Sequence, residues 1–341
     1  MVPITGTQHE ISAGDYRATV TELGAGLRAL HYLGRPVIGE YDPDVLPPGA
    51  SGQLLAPWPN RVDGGRYAIN GTRYQLDLSE PANLNAIHGL TRWAGWDVAA
   101  RTSEAVVLRH VLLGRPGYPF CLEIEAEYRL AADSGLRVSI TARNAGSTPA
   151  PYGTGSHPYL ATGTPAIDDC QLTLPGGLWL PADERGIPSG PVQDVAGTAL
   201  DFRASRPIAG TRLDHALTGL TRDASGRAWA RLSSGGTQPA GHEAAGSEVA
   251  GSEAAGSEVA GSEAAGSEVA AIEVALWAGP GYQWLQVFTG DTLDPAHRRR
   301  MLAVEPMTCP PNAFASGMDL LLLEPGDSVT HTWGIQAAVA S

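Results

Sequence analysis

The sequence predicts an all-β fold, a large β-sandwich with few short helices. Three observations predict it. The 42 Gly and 26 Pro among 341 residues punctuate the chain too often for a helical bundle. Apolar and polar residues alternate at period two in several segments, and no segment of comparable length has apolar i, i+3, i+4, i+7 spacing without a Gly or Pro break. The 43% apolar content supplies ample material for a core.

In chain order, Leu122, Ile124, Ala126, Tyr128 and Leu130 alternate with Glu123, Glu125, Glu127 and Arg129, the pattern of a strand with one wet face. Leu136, Val138, Ile140 and Ala142 repeat it, and Asp133-Ser134-Gly135 between them has hairpin-turn chemistry. Near the C-terminus, Trp333, Ile335, Ala337 and Val339 alternate with small or polar neighbours. From 239 to 271 the chain repeats AGSEV and AGSEA, setting Glu243, Glu248, Glu253, Glu258, Glu263 and Glu268 at five-residue intervals. Five matches neither the strand nor the helix period, so no apolar face forms to offset ordering entropy. The segment reads as a disordered low-complexity insertion between two strands of a single domain spanning 1–341, because strand-like AIEVALWAG follows it.

The net charge of −13 excludes a phosphate-backbone partner, which requires a basic surface. Nucleic acid is not expected. Six of the acids lie in the repeat, so the rest is only mildly acidic. Cys121, Cys170 and Cys309 form no metal-type spacing and, being odd in number, cannot all pair internally, which points to a reducing compartment. The first ten residues lack a basic start and an apolar run, and no stretch approaches a membrane span. The expected location is the cytoplasm, with no membrane partner.

The candidates for chemistry are His157 in GTGSHPYL, Glu305 in LAVEPMTCPPNAF, Arg61 in APWPNRVDGGRY, His88 in NAIHGLTRW and Asp214 in TRLDHAL. His157 and Glu305 each precede a proline, Pro158 and Pro306, which holds them in extended backbone. A histidine and a glutamate supply a proton donor and acceptor at one pH. Opening a cyclic hemiacetal needs that pairing, since one proton leaves the anomeric hydroxyl while another reaches the ring oxygen. Taken singly each has a plainer role: a hydrogen-bonding histidine, a surface Glu-Pro turn, an Arg61 to Asp63 ion pair, or Asp214 as a turn cap.

The ordered blocks GAGLRALHYLGRPVI, PWPNRVDGGRYAINGTRYQL, NAIHGLTRWAGW, GTGSHPYL, RLDHAL, VFTGD and LAVEPMTCPPNAF resemble the successive motifs of the aldose 1-epimerase (galactose mutarotase) family. The resemblance implies a sandwich with a small-molecule aldose in an open cleft, Glu305 as general base on the anomeric hydroxyl and His157 as general acid at the ring oxygen. It places Arg61, Asn60 and His88 on sugar oxygens, has Asp214 accept from sugar hydroxyls, and implies neither metal nor organic cofactor. Two departures are visible: His88-Gly89-Leu90 stands for the family's His-Gly-Gly, and Leu160-Ala161 for Phe-Asn after His-Pro-Tyr. Thr91-Arg92-Trp93 and Trp58 before Asn60-Arg61 resemble a bacterial branch that includes sulfoquinovose mutarotase-like proteins. In that setting Arg92, or the Arg298-Arg299-Arg300 cluster, is a candidate for an anionic group on the sugar, against an exposed basic loop. Trp58 and Trp93 are candidates to stack on the sugar ring. The alternatives are a non-catalytic carbohydrate-binding sandwich and a hydrolase built on Ser156-His157; GTGSH is not a GxSxG elbow, which weighs against the second.

Overall fold

The computed structural model describes residues 1–234 and 271–339. The AGSEV/AGSEA repeat lies outside the described residues, apart from its last residue Ala271. The strands on either side, Ala228–Ser234 and Ile272–Ala278, are antiparallel neighbours in one sheet.

Two large antiparallel sheets organise the molecule. A nine-stranded sheet has the C-terminal strand Ser328–Val339 at its centre, between Gly135–Asn144 and Ile272–Ala278. The hairpin expected from period-two patterning is present: Leu122–Ala131 pairs with Gly135–Asn144, with Tyr128 opposite Val138 and Leu130 opposite Leu136. The apolar set of Leu122–Ala131 is buried, while Glu125 and Arg129 are exposed. An eight-stranded sheet includes Gly176–Leu180, Asp214–Leu220, Trp284–Phe288 and Leu302–Met307 as successive neighbours. One continuous core draws Leu122, Ile124, Val138 and Ile140 from the first sheet and Leu217, Leu285, Val287 and Val304 from the second. This is the sandwich arrangement that period-two patterning favours.

A four-stranded N-terminal meander covers part of the core. Its buried Tyr16 hydroxyl donates to the Ala337 carbonyl and accepts from the Ala337 N–H, both at 2.9 Å, fixing the meander to the central strand. Among the described residues the only α-helix is the short turn Ala313–Ser316, and no helix is long and apolar enough to cross a membrane. Cys170 and Cys309 are buried and all three cysteines are free.

Candidate active site

Pairing in the second sheet builds the site. Residues directly opposite on antiparallel strands share a face, and Gln286 lies opposite both Glu305 and Ala216 while Asp214 lies opposite Phe288. Period two therefore sets Asp214, Gln286, Phe288 and Glu305 on one face, and Leu217, Leu285, Val287 and Val304 on the core face. The first set lines a cleft of about 350 Å³, with Asn60, Arg61, His88, Arg92, His157 and Tyr159.

The two Xaa-Pro steps have a structural reason. Gly155 is paired with Met307 and Tyr159 with Ala303, so the same register sets His157 against Glu305, Pro158 against Val304 and Pro306 against Ser156. Proline has no N–H to give the ladder, and the strand carrying His157 is split there into Gly155–Ser156 and Tyr159–Leu160. Glu305 thus sits within a strand, whereas His157 sits at the break between two. The backbone of His157 is held from the other side, its N–H donating to Gln53 O and its carbonyl accepting from Gly52 N–H. His157 Nε2 lies 3.2 Å from Glu305 Oε1, and both side chains are buried.

Burial disfavours charge on both groups. It raises the Glu305 carboxyl well above its ordinary value, with the Asp214 charge adding to the rise and Arg61 opposing it. It lowers His157 to about 3, aided by the positive charges of Arg92 and Arg61. His88 is likewise driven well below its ordinary value, chiefly by burial. Its ring meets that of His157 edge to face, with centroids 5.3 Å apart.

His88 is aimed by two tight turns. Its own φ is +61°, its N–H donates to Asn60 O, and the Asn60 N–H donates to His88 Nδ1 at 3.2 Å. The next residue must be glycine: φ is +72°, and a Cβ at Gly89 would stand 2.0 Å from the Ala56 carbonyl oxygen. Donor-type atoms of His88, His157 and Glu305 fall within 4.8 Å of one another, a spacing a metal ion can bridge. The His88 tautomer opposes that role. With Nδ1 accepting from Asn60, the neutral ring carries its proton on Nε2, which makes Nε2 a hydrogen-bond donor and not a ligand.

Arg61 does not pair with Asp63. Its Nε and Nη2 grip the Glu80 carboxylate at 2.9 Å each, and Asp63 is taken by Arg185 at 2.7 Å. Asp214 is the first residue of its strand, not a turn cap, and accepts from Gln286 Nε2 at 2.7 Å. The two tryptophans depart from expectation. Trp58, 2% exposed, is core, packed on Phe314 at 5.2 Å between centroids, because the buried Leu54–Pro59 segment turns it inward. Trp93 is 47% exposed, stacks under the Arg92 guanidinium, and does not line the cleft. Of the basic cluster, Arg299 is committed to Asp168 and Asp291, and none of the three lines the cleft. Trp58→Leu is therefore expected to destabilise by about 2–4 kcal/mol in a denaturant titration, with sugar affinity in titration calorimetry unchanged within twofold.

Sequence reading missed Gln286, Tyr159 and Glu80. Gln286 carried a signal, a polar residue inside the apolar run WLQVF. Glu80 carried another, since it too precedes a proline, Pro81.

Comparison with known proteins shows the family and the fold. Residues 7–235 match the family described as aldose 1-epimerase. The chain is 34% identical over 322 residues to the uncharacterized protein YihR of Escherichia coli K12, covering 94% of this chain and 90% of that one. It is 32% identical over 164 residues to galactose mutarotase of Mus musculus, covering 45% of each. In fold it is similar to the GalM/aldose epimerase homologue of C. elegans, with TM-score 0.76, 17% identity and coverage of 98% and 99%. Galactose 1-epimerase of Lactobacillus acidophilus gives TM-score 0.73, 19% identity and coverage of 97% and 95%. With the family match extending over more than half the chain and a relative of this identity over nearly all of it, the protein belongs to the aldose 1-epimerase family.

Proposed function

We propose that the protein interconverts the α and β anomers of a free aldose by opening and reclosing the hemiacetal ring. The observation behind this reading is the buried His157 and Glu305 pair, 3.2 Å apart on the wall of a polar cleft. Asn60, Arg61, His88, Asp214 and Gln286 offer the mixed donors and acceptors that ring hydroxyls require. Glu305 takes the proton of the anomeric hydroxyl and His157 gives one to the ring oxygen. Rotation about the C1–C2 bond then presents the other carbonyl face, and both transfers reverse.

Opening turns a carboxylate and an imidazolium into a carboxylic acid and a neutral imidazole, so the pair holds one proton throughout. Burial raises Glu305 and lowers His157, which favours the neutral form in the free site. A bound sugar favours the other form: its anomeric O–H donates to the carboxylate and its ring oxygen accepts from the imidazolium. Each transfer supplies about 10²–10⁴-fold. Neither needs a metal or an organic cofactor.

Polarimetry or NMR exchange on freshly dissolved aldoses tests the reading. Acceleration over buffer is expected for at least one sugar; none across neutral, phosphorylated, sulfonated and uronic aldoses, from folded protein, overturns it. Sugar binding that persists while Glu305→Gln and His157→Asn leave the rate unchanged selects a non-catalytic carbohydrate-binding sandwich instead.

A second observation bears on substrate class. Arg92 lines the cleft half-buried, its Nε has no hydrogen-bond partner among the described residues, and burial lowers its ordinary basicity. A desolvated cation facing the ligand favours an aldose carrying a negative substituent. Arg92→Met is expected to raise KM for such sugars roughly 10–100-fold, as for a lost charge-assisted hydrogen bond, with KM for glucose or galactose little changed.

A further inference from the structure

Arg61 reaches the cleft through a built support. Glu80 receives both Arg61 Nε and Nη2 at 2.9 Å, and the two side chains are 18% and 19% exposed. The same carboxylate accepts from Asn85 Nδ2 at 2.9 Å, and Asn85 is fully buried. Main-chain hydrogen bonds between Glu80 and Asn85 close the loop. Behind it, Arg185 donates to Asn85 Oδ1 at 3.0 Å and to the Asn83 carbonyl at 2.9 Å. The opposite side of Arg61 is closed by Gly186, where φ is +74° and a Cβ would stand 2.5 Å from Arg61 Nη1. The guanidinium therefore has one place to go.

The support also carries charge. The groups facing the His157 and Glu305 pair are Arg61 and Arg92, which are cationic, Asp214, which is anionic, and neutral His88 and Tyr159. Without Glu80 the cations outnumber the fixed anion. We propose that Glu80 is a positioning residue for the anomerisation: it fixes Arg61 against the sugar and offsets its charge, keeping the one-proton state of the His157 and Glu305 pair populated across neutral pH. This rests on the anomerase reading above.

The directions of ionisation agree. Burial alone would raise Glu80, yet the hydrogen bonds from Arg61 and Asn85 and the Arg61 charge hold it below its ordinary value, so it is an anion at working pH. Arg61 draws Glu305 downward and lowers His157. Removing the negative charge of Glu80 strengthens both pulls. Loss of the pair's one proton and gain of a second then both move to lower pH.

The experiment compares wild type, Glu80→Gln, Glu80→Asp, Arg61→Gln and the Glu80→Gln/Arg61→Gln double variant, each checked by a cooperative melt. Glu80→Gln is expected to lower kcat about tenfold and move both limbs of the kcat/KM profile acidward by roughly half a unit to one unit. Glu80→Asp keeps the charge, so its profile stays at the wild-type position while KM rises. In the Arg61→Gln background Glu80→Gln still removes a negative charge, so an acidward shift persists, whereas the further loss of kcat, which acts through the position of Arg61, disappears. A titration followed by ¹³C NMR of the Glu305 carboxyl, assigned with Glu305→Gln, reads the same shift without substrate. Wild-type activity with an unmoved profile and an unmoved Glu305 titration in Glu80→Gln overturns this proposal alone. Absence of wild-type activity overturns the anomerase reading, and the carboxyl titration then still decides whether Glu80 offsets the charge.

Discussion

Glu305→Gln is expected to lower kcat/KM for anomerisation by about 10²–10⁴-fold, the contribution of one positioned proton transfer. The amide keeps the volume of the carboxyl in a fully packed strand, so the loss is chemical and not a packing defect. It has no carboxylate to accept the anomeric proton. His157→Asn is expected to lose a similar factor, since an amide cannot protonate the ring oxygen. The instructive result is the double variant. With His157 Nε2 and Glu305 Oε1 in contact, the two groups pass from charged to neutral together in one half-cycle and return together in the next. Removing one leaves the other without its counterpart, so the double variant should be slower than the worse single variant by less than about tenfold. Polarimetry over the first minutes after dissolving a pure anomer measures all three. Losses that multiply fully would mean that the groups act independently and would sink the one-proton pair.

Much of the fold was legible because period two is a local property. The alternation at Leu122–Leu130 and Leu136–Ala142 is a hairpin whose register the turn at Asp133-Ser134-Gly135 sets. The prolines after His157 and Glu305 marked a further local property, extended backbone, and the register that sets His157 opposite Glu305 places the first at a break between two strands and the second within one. What was not legible is which strands meet. Gln286 faces Glu305 only because Trp284–Phe288 and Leu302–Met307 are neighbours, a relation between segments that no spacing encodes. Arg61 similarly has two acids near in sequence, Asp63 and Glu80, and chooses the more distant one. Asp63 follows Arg61 by two residues on one strand and is committed to Arg185 from the turn at 183–186. Trp58 shows the limit of motif proximity: it stands two residues from Asn60 yet turns into the core against Phe314. Adjacency to a site in sequence says little about the direction of a side chain where a turn intervenes.

The same buried pair leads to an expected dependence of stability on pH, with a sign that differs on its two sides. Glu305 has its native titration raised well above its ordinary 4.5, so its contribution is full below about that pH and is lost as pH rises towards the native value. His157, ordinarily 6.5 and lowered to about 3, destabilises as pH falls from the first value towards the second. The native pair thus holds one proton throughout, whereas the unfolded pair holds two in acid, one between the two ordinary values and none above. Its contribution is flat between them and falls on both sides, by at most about 1.4 kcal/mol per pH unit for each proton. His88 and His331 are also lowered by burial, the latter to about 4, so they steepen the acid side and leave the alkaline side to the pair. Glu305→Gln removes the carboxyl titration. Its stability relative to wild type should therefore grow as pH rises above 4.5, by up to about 1.4 kcal/mol per unit. Urea unfolding of both proteins from pH 4 to 9 measures the difference. Parallel curves would show that Glu305 is ionised in the native protein at neutral pH. A widening gap would show that the group most needed for turnover is also one the fold would be more stable without.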